Sequence, residues 1–358
     1  MNATASLWRR GNRFVSLHTN LRWTGDYTAS ELCNPQTYVY DLYLDLGDLP
    51  GGSRFYLGRQ FAYSAMGSYL IDGAGFRQRL TSKVSLDLYG GTVVDHGSPD
   101  QVQSFSDAGM LGGRVGFRAA EIKLGLNWLW ARSQGSTARH RAGLDGLWSD
   151  RRLEFYGRFT YDVAAMEVSG LLGRASMRPG SWILSGEFDW RKPSVASNSI
   201  FSVVGAEGRQ SVRVDVVRKL LRGLSSVAQM QYELMSGEDS WRTTLGLRSG
   251  AMGIGWTHRD GYGGMSDGLT GDASLRLNRW VELYGTAHLS QYKIQPEMLD
   301  WIDDYTSSVG LVWKPVADLR LRAEGQFLSN ANDTGDWRVY LQLVKGFSLG
   351  SNDTKDGR

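Results

Sequence analysis

Cysteine is almost missing from this chain of 358 residues. Its one cysteine, Cys33, excludes an internal disulfide framework and any multi-cysteine metal site. Proline is scarce as well, with 7 against 45 glycines. No apolar run approaches the roughly 18 residues that a membrane-spanning helix needs. The net charge is only +3 and no block of like charges occurs, so nucleic-acid binding has no support. The five histidines, His18, His96, His140, His258 and His288, lie far apart and at no metal-ligand spacing. Neither a nucleophile motif nor a phosphate-cradling glycine loop is present. The chain is therefore expected to be no enzyme and to carry no cofactor or metal. The start, Met1–Arg10, has no apolar core of a signal peptide, so the expectation is a mature or truncated form.

Alternation is abundant. Val281, Leu283, Gly285, Ala287 and Leu289 share one parity, with Glu282, Tyr284, Thr286, His288 and Ser290 on the other. Leu124, Leu126, Trp128 and Trp130 alternate with Lys123, Gly125 and Asn127. Phe155, Gly157, Phe159 and Tyr161 alternate with Glu154, Tyr156, Arg158, Thr160 and Asp162. Trp182, Leu184, Phe188 and Trp190 alternate with Ser185, Glu187, Asp189 and Arg191. Successive strand side chains point to opposite faces, so each run has one apolar and one polar face. Soluble strands average about 5–6 residues. These runs are nearer the 9–11 or so that a tilted membrane strand needs, and several end in Trp, Tyr or Phe on the apolar parity, the place of an interfacial girdle.

Short and long connections also alternate. Pro315–Asp318, Asn278–Trp280, Ser249–Gly250 and Arg178–Ser181 read as short. Asn330–Asp336, Lys293–Asp304, Asp260–Asp267, Lys192–Arg209 and Val94–Ala108 read as long. Short turns on one side and longer loops on the other mark a meandering outer-membrane barrel. The fold class expected is all-β: a transmembrane antiparallel up-and-down β-barrel of about 16–20 strands, 20 the best count. Residues 1–350 are expected to form a single barrel domain and residues 351–358 a polar tail. The expected location is the bacterial outer membrane.

The segment Trp337, Val339, Leu341, Leu343 and Phe347 resembles the terminal strand of outer-membrane barrels, which closes on an aromatic residue. Leu57-Gly58-Arg59-Gln60, followed by Asp72-Gly73, is similar to porin-like barrels of Gram-negative bacteria. The resemblance implies a channel with facing charges of opposite sign and a constriction made by an inward-folded loop. Candidates for that loop are Phe61–Leu70, Lys192–Arg209 and Lys293–Asp304.

If the apolar parity faces lipid, the polar parity lines a lumen too wide for side chains to fill. Strands four to eight then place Arg77, Arg79, Arg114, Arg118, Lys123, Arg139 and Arg141 inward, opposed there by Asp87 and Asp145. The following strands place Glu154, Asp162, Glu167, Glu187 and Asp189 inward. A basic arc beside an acidic one sets up a transverse field; alternatively, the charges pair with neighbours on adjacent strands and simply keep the lumen polar. Three functions follow as expectations. The first is a diffusion channel for small hydrophilic, mildly anionic solutes. The others are a structural sheath docking a partner such as an electron-transfer cytochrome, and an exporter of an anionic polymer. Outer-membrane lipid and a second copy of the chain are the remaining expected partners.

Overall fold

The computed structural model describes residues 2–10, 13–24, 36–49, 51–95, 103–134, 136–192, 208–235, 237–294, 300–316, 318–331 and 335–345. Cys33, His96, Phe347, the tail 351–358 and most of Lys192–Arg209 lie outside them. Two compact units are present, Met1–Ala175 with Asp189–Gly208 and Ser176–Phe188 with Arg209–Arg358.

In chain order the first stretch comprises β1 (Asn2–Arg10), β2 (Arg13–Thr24), β3 (Gln36–Leu49), β4 (Ser53–Ser64), β5 (Gly67–Arg79), β6 (Val84–Val93), the short helix α1 (Phe105–Ala108), β7 (Gly109–Ala119), β8 (Ile122–Ser133), β9 (Ser136–Ser149), β10 (Leu153–Asp162) and β11 (Glu167–Met177). Then come β12 (Trp182–Arg191), β13 (Arg209–Leu221), β14 (Leu224–Met235), β15 (Glu238–Ser249), β16 (Met252–Gly261), β17 (Met265–Arg276), β18 (Val281–Lys293), β19 (Ile302–Val316), β20 (Leu319–Ser329) and β21 (Asp336–Lys345). All 21 described strands belong to one sheet. Each strand from β1 to β10 pairs antiparallel with the next. The same holds from β13 to β21. The all-β, antiparallel up-and-down order expected from the alternation is thus the one found. Because 21 strands are described, the basic residues expected on strands four to eight sit on β5–β9.

The links explain the meander. In the first unit the connections β1–β2, β3–β4, β5–β6, β7–β8 and β9–β10 take two to four residues, as do β11–β12, β13–β14, β15–β16, β17–β18 and β19–β20 further on. Short polar side chains close several of them by accepting from the backbone of the returning strand. Thr81 Oγ1 accepts from Lys83 and Val84 N–H at 3.1 and 3.0 Å. Asp150 Oδ1 accepts from Arg152 and Leu153 at 2.7 and 2.8 Å. Asn278 Oδ1 accepts from Trp280 and Val281 at 2.8 and 2.9 Å. These are Asx- and ST-type turns, which reverse a chain cheaply. All the longer links fall at the alternate connections, which also include short ones. Asp260–Asp267, expected to be a long loop, contains only the three-residue link 262–264 between β16 and β17. Gly261, Gly263 and Gly264 all take positive φ, which makes so tight a reversal accessible.

The polarity of the sheet is inverted relative to a soluble protein. Leu124, Leu126 and Trp128 of β8 are exposed, whereas Asn127 between them is 1% exposed. Leu245 and Leu247 of β15, Leu289 of β18 and Leu341 of β21 are exposed too, Leu341 by 81%. Soluble monomers rarely expose contiguous apolar surface on this scale. The exposed parity is the one expected to meet lipid, and the strand order with its inverted polarity is that of the outer-membrane barrel class.

Candidate pore-lining site

Cross-strand register decides which polar side chains meet. In the first unit Arg77 lies opposite Asp87 on the next strand and bonds it. Arg141 lies opposite Asp162, with 3.6 Å between Nε and Oδ2. Arg114 of β7 reaches beyond its neighbour β8 to Asp145 of β9, Nη2 donating to Oδ2 at 2.6 Å. That reach passes over Gly125, where an added Cβ would stand 2.4 Å from the guanidinium. Asn127 donates to the other Asp145 oxygen at 2.6 Å. On β3 and β4, the buried Asp45 accepts two bonds from Arg54, at 3.0 and 2.6 Å. His18 stands 3.7 Å from the same carboxylate and stacks on Tyr43 at 4.8 Å. Arg59 and Asp72, part of the porin-like segment, are directly opposed and doubly bonded at 2.7 and 2.6 Å.

The expected basic arc therefore divides in two. Arg77, Arg114 and Arg141 are neutralised by Asp87, Asp145 and Asp162. Arg79, Arg118, Lys123 and Arg139 have no ion-pair partner among the described residues, and all four are exposed. Arg118 and Lys123 are opposed in register beside the short β7–β8 link, and Arg79 stands just before the short β5–β6 link. The expected acidic arc is mostly paired as well. Glu167 bonds Lys192, Asp189 bonds Arg191 at 2.8 Å, and Glu187 lies 3.4 Å from Arg213. Asp162 also accepts the N–H groups of Ala164 and Ala165 at 3.1 Å each. Glu154 is exposed and has no ion pair among the described residues. Local pairing thus accounts for most of these charges.

Polar matching continues on the same parity of the second unit. Tyr284 donates to Glu324 at 2.5 Å, Arg322 donates to the Tyr284 oxygen at 2.6 Å, and Gln326 donates to the second Glu324 oxygen at 2.6 Å. Thr286 meets Ser308 at 2.8 Å, and Gln229 bonds Asp215.

One feature of the first unit departs from a polar lining. Phe61–Leu70, expected to be an inward-folded loop, is the tip of the β4–β5 hairpin, joined by the two residues Ala65 and Met66. It has strand order rather than loop order because the β4–β5 ladder runs unbroken to the turn, with Phe61 opposite Leu70 and Ser64 opposite Gly67, and there Ser64 Oγ accepts from Met66 N–H at 3.1 Å. The tip nevertheless turns over the polar face. Arg158 of β10 donates to the Ala65 carbonyl at 3.2 Å, although the two are far apart in sequence. Met66 lies on β9 so closely that a Cβ at Gly143 would be 2.7 Å from its methyl group. Ala62, Met66 and Ile71 of the hairpin form a buried apolar cluster with Met110 of β7 and Leu129 and Ala131 of β8. Beside it is a cleft of about 690 Å³ whose lining includes Tyr69, Val94, Asp107 and Arg139. The helix α1, capped by Ser104, forms one side of this cleft.

Sequence reading missed Arg158, Met110 and Leu129 as parts of the site. The signal was present but weak. Leu129 and Ala131 interrupt the inward parity of Lys123, Gly125 and Asn127, and Met110 interrupts that of Gly112, Arg114 and Arg118. These intrusions align only once Met110 is known to face Ala131.

Comparison with known proteins gave likeness in structure alone. No protein-family model matches the sequence, and no curated protein matches it. The chain is similar to the OpdL structure of Pseudomonas aeruginosa at 12% identity and TM-score 0.46, covering 94% of this chain and 97% of that one. It is similar to a BenF-like porin from Pseudomonas fluorescens Pf-5 at 8% identity and TM-score 0.49, covering 93% and 98%. OccAB3 of Acinetobacter baumannii matches at 9% identity and TM-score 0.46, covering 93% and 98%.

Proposed function

We propose that this chain is a porin-like channel of the bacterial outer membrane, in which residues 1–350 form a single closed barrel. It passes small hydrophilic solutes by diffusion, without catalysis, and favours mildly anionic ones. The carrying observation is the β4–β5 tip turned over the polar face and anchored by Met66 and the Arg158–Ala65 bond. A sheath for a partner protein needs an unobstructed interior, whereas an inward element that narrows a wide lumen suits a channel. The uncompensated Arg79, Arg118, Lys123 and Arg139 supply the anionic preference. Self-association of such barrels belongs to the same reading.

Single-channel conductance in a planar bilayer tests it. Wild-type protein is expected to conduct. Replacing residues 62–69 by a two-residue Asn-Gly turn, which suits a tight hairpin, is expected to raise the conductance. Unchanged conductance would remove the hairpin from the path, and a barrel that stays silent even without the tip would overturn the channel reading.

A further inference from the structure

The apolar face of the second unit is not smooth. Across β13–β17 it carries a groove of about 560 Å³. Ser226 and Ala228 of β14 form its floor because their side chains are short where the neighbouring strands carry Val216 and Leu245. Trp182 stands at one end of the groove, and Trp256 and Leu269 stand at the other. Strands lie about 4.8 Å apart, so a path from β12 to β17 runs for roughly 24 Å. An extended acyl chain has dimensions of that order.

Charge marks the Trp182 end. Arg218 lies opposite Ser226 on the outward parity, near the short β13–β14 link. Its guanidinium lies over the Trp182 ring at 4.9 Å from the centroid. The arginine is exposed and faces no carboxylate among the described residues. Lys345, also on the outward parity near a short link, pairs instead with Asp318. A cation left uncompensated on an apolar face, held by an aromatic ring at the level where a bilayer meets water, calls for an anion with an apolar body attached. Guanidinium binds phosphate through a fork of N–H donors.

We infer that this groove is a binding site for a glycerophospholipid, its phosphate on Arg218 and one acyl chain lying over Ser226 and Ala228 toward Trp256. The site rests on the membrane reading above and places the lipid in the leaflet that meets the short turns. A free anion would gain nothing from the groove, and a bare hydrocarbon would gain nothing from Arg218.

The test uses the full chain refolded into vesicles of phosphatidylethanolamine and phosphatidylglycerol. The protein is then extracted into detergent, and retained phospholipid is counted by native mass spectrometry. Wild-type protein is expected to keep one phospholipid per chain. Arg218→Gln is expected to lower retention about fivefold, the weight of one cation at a lipid headgroup. Ala228→Leu, which fills the floor, should lower it as well, whereas Leu311→Ala, on β19 beyond the groove, should leave it unchanged. Wild-type levels of lipid in both groove variants, or no lipid on inserted wild-type protein, would overturn the site while leaving the membrane reading intact. A change of oligomeric state in Ala228→Leu would assign the groove to a second copy and overturn it equally. Failure of the wild-type chain to enter vesicles in a protease-protected form would overturn the membrane reading, and the site with it.

Discussion

At the scale of single residues, the polar face is governed by desolvation. Asp45 is 2% exposed and accepts two bonds from Arg54. Burying a carboxylate without such partners is costly. Arg54 itself is partly exposed and can turn to water when its partner changes. Asp45→Asn should therefore destabilise the folded protein by about 1–3 kcal/mol, the cost of an imperfectly satisfied buried group, rather than the larger penalty of a fully buried unpaired ion. Denaturant unfolding of refolded wild-type and variant protein would measure it. Uncompensated charge matters differently. Fixed cations on a wet wall enrich mobile anions over a Debye length, about 10 Å at 0.1 M salt and about 3 Å at 1 M. Changing Arg79, Arg118, Lys123 and Arg139 together to Gln should abolish the anion preference at low salt, read as the reversal potential under a salt gradient. The matching change of Arg77 and Arg114 exposes Asp87 and Asp145 but lowers the fixed charge by two rather than four, so it should weaken the anion preference without abolishing it. Identical reversal potentials in wild-type and both variants would place these residues away from the conducting path.

Strands and turns are the next scale. A strand with one face in lipid tolerates substitution on only one parity. Leu341→Arg at a lipid-facing position should cost about 2–4 kcal/mol near the bilayer midplane. Gln342→Arg, one residue along and on the other face, should cost far less. Equal effects on refolding into vesicles would mean that the faces of β21 are wrongly assigned. Turns carry their own stability. The N–H groups of Arg152 and Leu153 hold the Asp150 carboxyl below its ordinary range. A group whose folded value is depressed stabilises above its unfolded value, about 3.9, and loses that contribution as the pH falls through the folded value. Asp150→Ala should thus lower the melting temperature at neutral pH, and its difference from wild type should shrink as the pH falls below about 4. A constant difference across that range would tie the effect to turn geometry rather than to the carboxylate.

At the scale of the whole molecule, two designs coexist on one chain. The outward parity is built for an apolar surrounding, with large side chains exposed along strand after strand. The inward parity is built from matched pairs, among them Arg59–Asp72, Arg114–Asp145 and the Tyr284–Arg322–Glu324 group. Among the described residues the hairpin tip is an exception, an apolar cluster on an otherwise polar face, and the proposed channel rests on it.

Face assignment was legible from the amino-acid sequence because it is local. A period of two sends each residue up or down with no knowledge of its neighbours, so position alone puts Leu126 and Asn127 on opposite faces. The short link Asn278–Trp280 was equally local, since Asn278 accepts from backbone groups two and three residues ahead; the like turns at Asp150 and Thr81 were not read from the sequence. The long links also fell where the spacing put them, apart from Asp260–Asp267, whose glycines shortened it to a three-residue reversal. What the tertiary structure alone decided was which residues meet across strands. Arg114 joins Asp145 over Gly125, Met110 aligns with Ala131, and Met66 settles on Gly143, contacts set by register and by the bend of a hairpin. Register depends on bulges and link lengths, and the fold-over depends on burying Met66, Ile71 and Leu129 together. Those are free energies of groups distant in sequence, and no local pattern encodes them.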